Sequence, residues 1–285
     1  MSAAVKLAGF AAVLAVVFGV AGAAGGAIDA DAPGGREGAE PAGHGAAMAG
    51  GSAADMVRGL SVADNGVRLV VDDTDLRRGR TEQLRFRIVD DRGATVRDFD
   101  VEHTKRMHLI VARRDLATFQ HLHPRMGADG TWTTPLRLND AGSYRVFADF
   151  SRGDEATTLA ADLRVDGDAA LEPLPAPSSI AKSDGGYDVQ LDGADARAGE
   201  ESELSFTVTK NGIPVRVEPY LGADGHLVAL RDGDLAFLHV HPSDHGEGDA
   251  IEFETTFPTT GRYRLFLQFE HEGRVQTVAF TQEVK

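Results

Sequence analysis

Residues 107–124, MHLIVARRDLATFQHLHP, return once in the chain as residues 225–242, GHLVALRDGDLAFLHVHP. A recurrence of this length marks a tandem duplication. In each copy a histidine is followed 13 residues later by His-x-His-Pro, giving His108, His121 and His123 in the first copy and His226, His239 and His241 in the second. Six of the ten histidines occupy these repeated places.

The spacing suits a β-hairpin. Residues 109–112 and 117–122 are short runs of apolar and β-branched residues, separated by Arg113, Arg114, Asp115 and Leu116. A four-residue loop at 113–116 predicts that Ala112 pairs with Ala117, Ile110 with Phe119 and His108 with His121. Opposed residues share a sheet face, as do residues two apart on one strand, so His123 joins the other two. The same count sets Val228 against Phe237 and His226 against His239, with His241 alongside. Each repeat is thus expected to carry its own triangle of imidazoles, with Cβ atoms about 5–7 Å apart, suited to a Zn or Cu ion. The plainer reading is a cluster of half-buried histidines whose nitrogens are hydrogen-bonded within the protein.

The 285 residues allow two ordinary domains, and the absence of cysteine removes disulfides, thiolate ligands and thiol nucleophiles. A net charge of −15 disfavours nucleic acid and anionic membrane surfaces as partners. Residues 7–28 are uncharged and long enough to cross a bilayer; Lys6 precedes them and Asp29, Asp31, Glu37 and Glu40 follow. Residues 1–28 therefore read as a membrane anchor or a signal peptide, with Ala21-Gly22-Ala23 as a candidate cleavage site. Either way the rest of the chain is expected outside the cytoplasm. Residues 29–56 are rich in Gly, Ala and Pro without apolar periodicity and read as a disordered tether.

The first repeat is expected over 57–167. Its alternating runs are Val67–Val71, then Leu84, Phe86 and Ile88, then the hairpin, then Tyr144, Val146, Ala148 and Phe150, with 157–165 as a closing strand and Trp132 in the core. Residues 168–179, DAALEPLPAPSS, contain three prolines and read as the linker. The second repeat, 180–285, runs parallel: Gly66 matches Gly186, Phe86 matches Phe206, Tyr144 matches Tyr263 and Phe150 matches Phe269. Nothing beyond the N-terminal segment reads as an amphipathic helix. The expected fold is all-β, two tandem antiparallel β-sandwiches of immunoglobulin-like or cupredoxin-like type.

His108 to Leu116, Phe119 to Pro124 and the aromatic strand Tyr144 to Phe150 resemble the signature of a largely uncharacterised bacterial family, secreted or membrane-anchored, written HLIVVRRDL…FQHLHP and then YRVFADF. Ala112 is the one departure, and the resemblance covers residues 60–285. Such proteins are often labelled heavy-metal-binding or copper-related, so the resemblance implies an ion as the partner.

The residues support an extracytoplasmic protein that binds copper or zinc for storage, delivery or resistance. The alternative is a non-catalytic cell-surface interaction module whose histidines are structural. Further candidate ligands for the first triangle are His103, Met107, Met126 and Asp149. The second triangle has Gly225 and Gln268 in place of Met107 and Asp149, with His245 and Asp244 nearest in sequence, so the first site is expected to bind metal better. No enzyme is expected: neither repeat supplies together the glutamate and the later histidine that resemblance to a cupin-type His-x-His site would imply, and no Ser-His-Asp set, P-loop or dinucleotide fingerprint is present.

Overall fold

The computed structural model describes residues 57–193, 195–238, 240–242 and 250–285, and the side chain of His241 is excluded. The expected anchor and tether lie outside the described residues, as do His239 and His245. Every regular element among the described residues is a strand, and no helix there is long and apolar enough to cross a membrane.

Each repeat is a two-sheet sandwich. In the first, one sheet runs in spatial order Ala63–Asp64, Val67–Val71, Thr81–Asp90, Trp132–Arg137, Arg125–Met126; the other runs Asp75–Leu76, Glu155–Val165, Gly142–Arg152, His108–Arg113, Phe119–Leu122. The second repeat has Ile180–Lys182, Tyr187–Asp192, Glu201–Lys210, Ala250–Thr256 and His241–Pro242 in one sheet, and Phe237–Leu238, His226–Arg231, Gly261–His271 and Arg274–Val284 in the other. Pairing is antiparallel except where Asp75–Leu76 runs parallel to the end of Glu155–Val165. The alternating residues read from the sequence fill the two cores: Leu84, Phe86, Ile88, Trp132 and Tyr144 in one, Leu204, Phe206, Tyr263 and Phe269 in the other.

Each repeat carries a tyrosine corner, a hallmark of immunoglobulin-like sandwiches. Tyr144 donates its hydroxyl to the Asp140 carbonyl at 2.8 Å, and Tyr263 does the same to Thr259 at 3.1 Å.

The expected hairpin register needs correcting. His108–Arg113 pairs with Phe119–Leu122 so that Ala112 faces Phe119, Ile110 faces His121 and Leu109 faces Leu122. The loop keeps four residues but lies at 114–117, because the Arg113 N–H still bonds to the Thr118 carbonyl at 3.0 Å. The Arg113 guanidinium grips Asp115 through two bonds of 2.8 and 2.7 Å, and Leu116 takes a left-handed φ of 61° with its side chain buried. A buried leucine in that conformation is costly, and no turn rule anticipates it. The second copy slips identically, pairing Leu230 with Phe237 and Ala229 with Leu238. A slip of two preserves every side chain's face, so the histidines stay on the side expected.

Both faces of the hairpin sheets are covered. Leu109 and Val111 point into the first core, whereas Ile110 and Ala112 point outward into a third apolar cluster shared by both repeats. That cluster joins Ile110, Leu116 and Phe147 to Val228, Leu230, Leu235, Phe237 and Phe266. Phe119 stacks on Phe266 with ring centroids 4.1 Å apart, and Phe147 packs on Phe237 at 5.6 Å. Phe119 is equivalent to Phe237 and Phe147 to Phe266, so the two contacts are the same contact seen from either side. The repeats therefore dock through a pseudo-two-fold, self-complementary seam.

Residues before the first sandwich stitch this seam. The Arg58 N–H and carbonyl pair with Phe237 at 3.3 and 2.9 Å, and the Gly59 N–H bonds to the Thr158 carbonyl at 3.2 Å. A Cβ on Gly59, whose φ is 69°, would lie 2.7 Å from the Phe147 ring and 2.9 Å from Phe237. Only glycine passes between those rings.

Phe266→Ala should cost about 3–5 kcal/mol, the usual range for removing a buried ring. Urea denaturation followed by tryptophan fluorescence and circular dichroism should show the wild type unfolding in one step and the variant in two, because Trp132 reports only the first repeat.

Candidate metal site at the seam

The imidazoles lie where the seam meets the hairpins. His108 has the parity of Ile110 and Ala112, so its ring projects from the first sheet toward the second repeat. With the corrected register His123, rather than His121, lies across from His108, and His121 sits one diagonal away. Ring nitrogens of His108, His121 and His123 all fall within 4.8 Å of one another.

The expectation of two separate triangles does not hold for His226. Its ring stacks on His121 with centroids 4.6 Å apart and on His108 at 5.3 Å, joining the first cluster from the second repeat. His103 completes the group, 5.8 Å from His226 and 6.2 Å from His108. Five imidazoles thus meet at one place. His241 has its backbone in the outer sheet beside Glu254.

His103 is held there at a cost. It occupies a two-residue turn with Thr104, closed by mutual bonds of 2.8 Å between Glu102 and Lys105, and both central residues have positive φ, 45° and 68°. Such turns favour Asn and Gly. The equivalent turn Tyr220–Ala223 has Leu221 and Gly222 at its centre.

Hydrogen bonds impose a proton count on the cluster. Gln268, from strand Gly261–His271, donates Nε2 to Thr277 Oγ1 at 3.1 Å and accepts from His121 Nδ1 through Oε1 at 2.7 Å. His121 therefore presents a bare Nε2 inward, 3.0 Å from His108 Nδ1. On the far side, His108 Nε2 lies 3.3 Å from the Glu102 carbonyl, which only accepts. Three contacts need filling, and two neutral imidazoles carry two protons. One further positive charge satisfies all three, and His108 faces the buried Asp149 carboxyl.

On His121 and His123 a proton is a poor occupant. Burial first, then the neighbouring His108 and His123, hold His121 down at about 3. Burial, His108 and Lys105 hold His123 at about 4. The His123 Nε2 is buried without a hydrogen-bond partner. Beside the rings is a cavity of about 10 Å³, lined by His103, His108, His226, Asp149 and Glu102 among others, with room for about one water-sized body. Asp149 faces His108 across the strand pair and accepts from Thr158 Oγ1 at 2.6 Å; burial raises its affinity for a proton.

The donor set fits a borderline ion. Zn–N bonds of about 2.0–2.1 Å at a tetrahedral angle separate the two nitrogens by about 3.3 Å. The His108 to His121 separation is already that small, and the third nitrogen needs to close by about 1.5 Å or less. Gln268 holds His121 in the tautomer a metal requires, as an outer partner of a ligating histidine does. Its role was missed because alignment sets it opposite Asp149, where it reads as a lost ligand; it serves the other repeat's histidine. Met107 and Met126 stay out of the cluster. Met107 is buried in the first core and Met126 packs against it; both line a separate cavity reached only by His123.

The model of a family described as a domain of unknown function, DUF8832, matches residues 61–167 and again 181–285. Among curated proteins none matches. Solved structures with some likeness include the Escherichia coli adhesin FdeC, 15% identical over 79% of this chain and 66% of that one, at a TM-score of 0.23. A Salmonella alpha-2-macroglobulin is 16% identical over 80% of this chain and 15% of that one, at 0.28. Invasin, a bacterial integrin-binding protein, is 12% identical over 79% and 41%, at 0.23. The chain spans less than two thirds of each, and likeness at this level carries no inference about what it binds.

Metal-free protein should lose stability in mild acid. Imidazoles ordinarily titrate near 6.5, and both His121 and His123 bind a proton more weakly when folded. Below about pH 6.5 the unfolded chain takes up protons that the folded chain refuses, so stability present above that pH drains as pH falls toward 4. Each ring contributes up to about 1.4 kcal/mol per pH unit in that window. Urea midpoints for chelator-treated protein should fall from pH 7 to 4.5, less steeply than the two rings alone would give, because buried Asp149 takes up its proton on the folded side. His121→Gln should flatten the slope.

Proposed function

Since this chain belongs to the DUF8832 family, for which no activity is described, we propose its role from the site itself: it binds one zinc or copper ion per chain at the seam between its repeats. The observation that carries this reading is the convergence of ring nitrogens of His108, His121 and His123 within 4.8 Å of one another, with the His123 Nε2 buried and unpartnered. His226 supplies a ring from the second repeat. With imidazole donors and no thiolate, the site suits Cu(II) or Zn(II), and the affinity order favours copper where both are present. The uncharged run at 7–28 supports a place outside the cytoplasm, where such a protein stores, delivers or withholds the ion.

A second reading has an observation of its own. The His121 to Gln268 bond crosses the seam directly, a contact suited to a polar lock between repeats in a non-catalytic interaction module.

Calorimetric titration of the metal-free chain with Zn(II) and Cu(II) separates the two. One ion per chain is expected, abolished by His121→Ala and weakened by His226→Ala. Gln268→Leu should weaken binding about 10–100-fold by releasing the His121 tautomer. Absence of heat with either ion would leave the polar lock, and two equivalent ions per chain would mean independent sites.

A further inference from the structure

Beside the imidazole cluster, sharing only His123 with it, lies a cavity of about 510 Å³, the size of a small-molecule site. Lys105, Arg106 and Arg125 line it, and no carboxylate does. Among the described residues none of the three cations has an ion-pair partner. That is unusual company on a chain of net charge −15. Gathered cations repel one another, a cost that a bound anion removes. Trp132 lines the same cavity, and its indole N–H is buried without an acceptor.

The duplication supplies an internal control. At the equivalent places the second repeat has Ala223 for Lys105, Asp224 for Arg106 and Ser243 for Arg125. The register that sets Trp132 against Phe86 sets Ile251 against Phe206, so the tryptophan is lost too. The second sandwich forms without any of these residues. The sandwich therefore does not require the three cations, and packing does not account for their gathering in the first repeat.

We propose that this cavity binds a small oxyanion carrying at least two negative charges, a polycarboxylate or a phosphate. The forked guanidiniums of Arg106 and Arg125 match paired oxygens, Lys105 adds a point charge, and the partly buried Met126 offers apolar wall to the rest of the ligand. The proposal does not depend on metal at the seam. It does place the anion against His123.

The test uses metal-free, full-length protein titrated by calorimetry with citrate and, separately, with inorganic phosphate. Saturable binding of either is expected, weakening as salt is raised. Arg106 and Arg125 are exposed, so the double variant Arg106→Ala/Arg125→Ala should keep its fold and its Zn(II) titration, yet bind the anion at least about tenfold more weakly. Citrate alone binding assigns a polycarboxylate, and phosphate alone assigns a phosphate. Failure of both to saturate, or equal affinity in the double variant, overturns the proposal, whatever the Zn(II) titration shows.

Discussion

The structure depends on the burial of two outer sheet faces against each other. An ordinary sandwich covers one face of each sheet and leaves the other to water. Here Ile110, Phe147, Val228, Leu230, Phe237 and Phe266 make the outer faces apolar, and the repeats have no alternative but to pair. The ring pairs Phe119 with Phe266 and Phe147 with Phe237 fix the orientation of that pairing, and orientation decides which histidines meet. The polar groups at its margin are then buried in short contacts, which is why their protonation is so constrained.

Much of this was legible in the sequence. The duplication, the alternating strands, the core tryptophan and the common face of the three hairpin histidines follow from period two and from repeated spacing. The common face held although the register was off by two, since parity survives an even slip. What decided the slip was Arg113 gripping Asp115 and a leucine, Leu116, accepting a left-handed conformation for the sake of burial. Local turn rules have no means of anticipating a leucine there, because its compensation comes from the other repeat.

The seam left a trace that was not read. HLIVAR is buried at all six positions, and in the sequence it is apolar on consecutive residues instead of alternating. Such a run states that both faces are covered, but it does not say by what. Gln268 shows the same difficulty in reverse. Compared with Asp149 by alignment it looked like a deficit, and only the docking reveals it as the residue that orients His121. Whenever a site is shared between repeats, comparing each repeat with its own equivalent positions misassigns the partners.

Joining the two halves by residues 168–179 has a consequence for behaviour in dilute surroundings. A short tether keeps one repeat at an effective concentration on the order of millimolar around the other. The linker is also fastened, with Glu172 donating its N–H to Asp115 at 2.9 Å. The same self-complementary contact between separate chains would be a concentration-dependent dimer, and any group built half from each partner would vanish at low abundance. Within one chain the assembly is first-order: a solitary molecule closes its own seam, and closure uses up the surface through which further copies would add.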